Sequence, residues 1–193
     1  MNRQIAVALL CWCSALPATA EPWIDYGMLR TLHADKVVTS TDPQGQETWQ
    51  LDMGDGVTIS CSSTGCVGSD THGAIGCTFS ILAELKAITD VCDLPITADE
   101  RGRLDEVYTR VGRFVADNAV PRQEWRTVEG FVATVGQSYR DDGAAPGQGT
   151  CITMAAPDSD VFLMLRGMID PALDAQLDSF CAQPRLPVMN PCL

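Results

Sequence analysis

The chain has 193 residues, 46% hydrophobic and 20% charged, with 13 basic against 25 acidic side chains and a formal net charge of −12. That length suits one domain of ordinary size, and the apolar share excludes a mainly disordered chain. The charge argues against nucleic acid as a partner, because binding a polyphosphate needs a basic footprint, and it disfavours an anionic lipid surface for the same reason.

Residues 1–20 carry one positive charge at Arg3, an apolar run from Ile5 to Leu16, and Ala18-Thr19-Ala20 as a small-x-small cleavage signal. This pattern reads as a secretory signal peptide cleaved after Ala20. The apolar run falls well short of the roughly 18 residues that cross a bilayer, and no later segment comes closer, so no transmembrane segment is expected after cleavage. Leu10 and Trp12 precede Cys11 and Cys13 where lipid-attachment signals carry a small residue, so a lipid anchor is not expected. The expected location is periplasmic or secreted. Residues 21–193 are expected to form a single α+β domain: a short N-terminal helix, a three-stranded antiparallel meander, then a mainly helical middle and C-terminal part, stapled by disulfides.

In chain order, Ile24, Met28, Leu29 and Leu32 recur at helical spacing, which predicts a short helix over 24–33. Val37-Val38-Thr39, then residues 48–53 with Trp49, Leu51 and Met53 on one side, then residues 57–61 with Val57, Ile59 and Cys61 on one side, predict three half-buried strands. Asp42-Pro43-Gln44-Gly45 and Gly54-Asp55-Gly56 supply turn chemistry between them. Residues 67–76 are glycine-rich and read as a loop. Phe79, Leu82, Leu85 and Ile88 predict a helix from about 78 to 91, which Pro95 keeps from extending.

Thr97 with Glu100 forms a capping box ahead of an apolar stripe of Leu104, Val107, Tyr108, Val111, Phe114 and Val115. Asp99 with Arg103 and Glu106 with Arg110 are acid-first pairs four apart, which gives those arginines local partners. Pro121 is expected to open a further helix carrying Trp125, Val128, Val132, Val135 and Tyr139. Residues 141–149 read as a flexible loop and 151–155 as a short strand. The apolar run 161–165 fits a helix capped by Asp158 or Ser159, with a buried strand as the other reading. Asp170-Pro171 opens a last helix with Leu173, Leu177 and Phe180 inward, and 182–193 is a proline-rich tail with no periodicity.

Of nine cysteines, the expected mature chain keeps Cys61, Cys66, Cys77, Cys92, Cys151, Cys181 and Cys192, an odd number in an oxidising compartment. Counting does not fix connectivity. Cys77 and Cys92 bracket a helix, which at ~1.5 Å per residue holds them about 22 Å apart, beyond the ~7 Å limit for bridged Cα atoms. Cys66 with Cys77 would staple the glycine-rich loop, with Cys61 an equally near competitor, and Cys181 with Cys192 would strap the tail to the body. The odd cysteine could join two chains in a disulfide-linked dimer.

The usual catalytic signatures are absent: the sequence has no G-x-S-x-G elbow, no P-loop, no G-x-G-x-x-G and no C-x-x-C. Cys61-x4-Cys66 reads more readily as a hairpin-flanking pair than as a redox couple. Cys61, Cys66, His72 and Cys77 offer zinc's preferred ligand types, but without the paired short intervals of structural zinc motifs. Met164 and Met168 could serve Cu(I), although methionines in an apolar run are more often core filler. Asp52-Met53-Gly54-Asp55-Gly56 lacks calcium-loop spacing and reads as a turn. His33 and His72 are the two histidines, and His72, in a polar loop, is the better candidate for a general base. Asp158, Asp160, Asp170, Asp174 and Asp178 stand against the single base Arg166, as a solvated acidic face or a docking surface for a basic partner. No cofactor is implied. The preferred expectation is a soluble, exported, non-catalytic binding or accessory protein of the cell envelope with an unidentified protein or small-molecule partner. The alternatives are a small exported hydrolase using His72, or a thiol or metal site at Cys61–Cys77.

Overall fold

A computed structural model describes residues 22–191, so the expected signal peptide and Cys192 lie outside the described residues. The fold is α+β: seven helices and one four-stranded antiparallel sheet among the described residues. Helix α1 (Tyr26–Leu32) begins at Asp25, whose carboxylate accepts the Met28 N–H at 2.9 Å, and it turns Tyr26 and Leu29 inward. Strands β1 (Val38–Thr41), β2 (Glu47–Gly54), β3 (Val57–Ser62) and β4 (Gly65–Asp70) then run as a meander in sequence order. The alternation read in the sequence is the alternation of burial: Trp49 and Leu51 of β2, and Val57, Ile59 and Cys61 of β3, face the core. Asp42 and Asp55 sit in the two predicted turns, with Asp55 in the left-handed region at φ +49°.

The fourth strand corrects the expected loop. Its inward positions are Gly68 and Asp70, so no apolar alternation announces it. It forms because β3 offers a full edge, with Cys61 opposite Cys66 in register and a disulfide joining the two. The hairpin-flanking reading of Cys61-x4-Cys66 matches this geometry, whereas the expected pairing of Cys66 with Cys77 does not. Cys77 is also disulfide-bonded.

Helix α2 (Ile75–Cys92) is buried on almost every side and packs against α3 (Ala98–Asn118) and α4 (Trp125–Asp141). Thr97 and Glu100 close the predicted capping box at the start of α3. Rings fill the centre: Phe79 lies 5.3 Å from Trp23 edge-on and 5.4 Å from Tyr108 in a stack. Helix α4 begins at Trp125 rather than at Pro121. Val120 is taken up by the N-terminal segment, donating to the Trp23 carbonyl at 2.8 Å and accepting from the Asp25 N–H at 2.6 Å, which keeps the chain extended up to the proline.

Helices α5 (Gly149–Met154), α6 (Asp160–Met168) and α7 (Leu173–Cys181) complete the regular structure of the described residues. The expected strand at 151–155 is helix α5. A strand there needs a partner, and 161–165 takes its helical alternative, capped by Ser159, leaving no free edge beside it. Buried Cys151 ties α5 to the end of α2 through a disulfide with Cys92. Residues 142–148 connect α4 to α5 and are anchored by Ala144, which is buried and donates to the Tyr139 carbonyl. The arginines of α3 look further than predicted. Arg103 binds Asp174 at 2.5 Å as well as Glu106, and Arg110 binds Asp174 and Asp178, so these pairs stitch α3 to α7 instead of bracing α3 alone.

Cys181 is free, which corrects its expected bond to the tail. It lies among α3's Arg110 and its own helix's Asp178, while the tail leaves α7 for the sheet and the start of α2. Burial pushes its thiol above the ordinary range, and Arg110 draws it part of the way back.

Candidate functional site

The tail that lacks periodicity is held by specific contacts. Leu186, Pro187 and Val188 are buried. The Pro187 carbonyl accepts the Trp23 indole N–H at 2.9 Å, the Val188 carbonyl accepts the Gly76 N–H at 3.1 Å, and the Asn190 carbonyl accepts the Asp70 N–H at 3.0 Å. Gly76 is required by proximity, since a Cβ there would stand 2.3 Å from the Pro187 oxygen. One charged group completes the anchorage. The Asp70 side chain is fully inaccessible and accepts Arg185 Nη1 at 2.9 Å, and Arg185 Nη2 reaches Asp55 at 2.6 Å. A buried carboxylate is tolerated only when paired and hydrogen-bonded, and Asp70 also accepts the His72 N–H at 2.8 Å through Oδ1.

This anchorage sets the walls of a cleft of about 550 Å³ between the sheet's turns and α7. Asp55 comes from the β2–β3 turn and His72 from the turn after β4. Gln176, Ser179 and Phe180 come from one face of α7, and Gln183 and Arg185 from the start of the tail. Phe180 seats α7 on the turn at Gly73, where φ is +120° and a Cβ would lie 2.6 Å from the ring. The polar side chains of Gln176, Ser179 and Gln183 have no hydrogen-bond partner among the described residues, and all three residues are exposed.

Comparison with known proteins finds no matching family model, curated protein or solved structure. The assignment of a site therefore rests on the geometry of the cleft.

His72, the histidine singled out in the sequence, stands on the cleft's rim with its side chain 54% exposed and Nδ1 3.4 Å from Asp70 Oδ1. Thr71 Oγ1 is at the same distance from that nitrogen. His33 caps the end of α1. Cys61, Cys66 and Cys77 are all oxidised in disulfides, so the proposed zinc cluster has no thiolate to offer, and no group of three or more His, Cys, Asp or Glu side chains suited to a metal occurs among the described residues. Met164 and Met168 of α6 pack against the core. Of the C-terminal acids, Asp174 and Asp178 are matched by α3's arginines, and Arg166 turns away to Glu100, so the acidic face is partly neutralised from within.

Sequence reasoning missed Arg185, Gln176, Ser179 and Gln183. Nothing local marks them: three are ordinary polar residues near a helix end, and Arg185 acquires its role by meeting a carboxylate far away in the chain.

Proposed function

We propose that this is an exported, non-catalytic binding or accessory protein of the cell envelope, and that its recognition surface is the cleft bounded by Asp55, His72, α7 and the start of the tail. The observation that carries the reading is the set of three partnerless polar side chains, Gln176, Ser179 and Gln183, along a wall whose charged groups are already matched to each other. Pre-formed clefts of a few hundred Å³ with a few convergent polar groups are the usual form of a small-ligand site. The disulfides suit an oxidising compartment, and among the described residues no helix is long and apolar enough to cross a membrane. Export is tested by the intact mass of the protein recovered from outside the cytoplasm, expected to start at Glu21. Binding is tested by native mass spectrometry of protein exposed to a periplasmic extract. The expected result is a bound small molecule on the wild type that the Gln176→Ala/Gln183→Ala variant does not retain, and retention by both would remove the cleft from the reading.

A hydrolase is the second reading, and the 3.4 Å approach of His72 Nδ1 to Asp70 Oδ1 favours it, with Ser179 lining the same cleft. In that reading Asp70 orients His72, His72 takes the proton from the attacking hydroxyl, and Ser179 is the nucleophile. Two features weigh against it. Asp70 Oδ1 already accepts a backbone N–H and Oδ2 already accepts Arg185, and Ser179 lies in the last turn of α7, where the helix dipole opposes a developing oxyanion. Ester and amide hydrolysis abolished by His72→Ala would replace the binding reading with this one.

A further inference from the structure

We infer that the cleft's ligand is a saccharide: a neutral ring bearing vicinal hydroxyls, taken edge-on by the amides of Gln176 and Gln183 and face-on by Phe180. The inference rests on the binding reading above and narrows it to one chemical class.

Charge excludes the main competitors. Arg185 is the cation of the cleft wall, and both of its terminal nitrogens are held by carboxylates, Nη1 by Asp70 at 2.9 Å and Nη2 by Asp55 at 2.6 Å. A phosphate or carboxylate ligand therefore finds no uncommitted guanidinium fork, and it approaches a chain of net charge −12. A cationic ligand finds carboxylates already shared with Arg185. What remains open is neutral hydrogen-bonding capacity of both senses. Each glutamine amide presents a donor and an acceptor, and the Ser179 hydroxyl presents both. Adjacent sugar hydroxyls demand such alternating donors and acceptors, and planar side chains meet two of them at once.

The second requirement of a pyranose is a flat apolar surface for its C–H face. Phe180 supplies one on the same wall, half-buried and held in place against Gly73. Gln176 and Phe180 stand a helical step of four apart on α7 and Gln183 follows just beyond its C-cap, so the ring and both amides line the same cleft. A volume of about 550 Å³ accommodates one or two sugar units and leaves the cleft open to a longer glycan.

The test is a titration of the ¹⁵N-labelled full exported chain, followed by amide resonances of Gly56, Gly73 and Ala182. The probes are N,N′-diacetylchitobiose, cellobiose and maltose, with citrate and tetralysine as non-saccharide probes, and cosedimentation with insoluble peptidoglycan as a separate arm. The expected result is that at least one saccharide moves the cleft amides and that Gln176→Ala/Gln183→Ala weakens it about tenfold or more, with thermal unfolding unchanged. Shifts with a disaccharide assign the ligand to free sugar or a chain end, and cosedimentation alone assigns it to the intact polymer; either supports the inference. Cleft shifts from citrate or tetralysine, with none from any saccharide, overturn the saccharide and keep the binding reading. Equal saccharide affinity in the double variant removes the cleft. No shift and no cosedimentation overturn both.

Discussion

Phe79 and Asp70 are equally inaccessible, at 0% and 1% exposure, yet they are held by opposite physics. Phe79 sits in the helical layer among Trp23, Tyr108 and Phe131, where its contribution is contact area and ring geometry spread over many neighbours. Asp70 sits where the sheet meets the tail, and the burial of its carboxylate depends on Arg185 and the His72 N–H. Packing of the first kind degrades in proportion to the atoms removed. A buried ion pair fails as a whole, because removing one partner leaves the other charged and dry.

Removing the two anchors puts that contrast to the test. Phe79→Ala and Arg185→Ala are each expected to cost roughly 4 kcal/mol in urea unfolding, the first by opening a cavity and the second by stranding Asp70. Their rescue differs. Asp70→Asn added to Arg185→Met is expected to recover most of the loss, because no charge is left buried. If this double variant is as unstable as Arg185→Ala, the tail junction is held by packing like the helical layer and the contrast collapses. The bond between Cys92 and Cys151, spanning a sequence separation of 59, belongs to the helical side. Replacing both cysteines by serine is expected to cost about 3 to 4 kcal/mol, chiefly by freeing the unfolded chain, with the Arg185–Asp70 anchorage unaffected.

Alkali sharpens the comparison further. Lys86 is raised above 10.5: burial opposes its charge, but the hydrogen bond to Asp105 and the charge of Asp90 outweigh it. Burial raises Tyr108 and Tyr139 well above 10.0, with Glu84 adding to the effect at Tyr139. Burial likewise raises Cys181 above 9.0. Each group binds its proton more tightly folded than unfolded, so its contribution is complete below the unfolded value and is lost as pH rises through the folded one. The urea midpoint is expected to hold up to about pH 9 and to fall above it. Alkylation of Cys181 in the native protein at pH 8 is expected to be slower than in the unfolded chain. The smallest effect is expected at His72, where alanine should change stability by less than about 0.5 kcal/mol, since the side chain is half exposed and the turn's hydrogen bond to Asp70 comes from its backbone. A larger loss would make His72 part of the anchorage.

The helical layer was largely legible in the sequence. Thr97 and Glu100 mark the start of α3, the stripe from Leu104 to Val115 is the buried stripe, and Phe79, Leu82, Leu85 and Ile88 are core residues of α2. The three predicted strands and the Asp-Gly turn were legible for the same reason, since local hydrophobic period and turn chemistry report on faces and bends; β1 departs only in burial, all four of its residues being exposed where a half-buried strand was expected. The candidate site was legible only at His72. Strand β4 was hidden by Gly68 and Asp70 at its inward positions, and the tail by its prolines.

By itself the sequence determined the fold class, the order of most elements and the acidity, because each depends on composition or on neighbours within a few residues. The tertiary structure alone decided that Cys92 pairs with Cys151, that Val120 stays extended against Trp23 and Asp25, and that Arg185 meets Asp70. Those choices bring together residues far apart in the chain, and no local pattern encodes which distant side chain will arrive. The cleft belongs to that second group, since its walls come from two sheet turns, a C-terminal helix and a tail that meet only when the sheet and the helical layer close on each other.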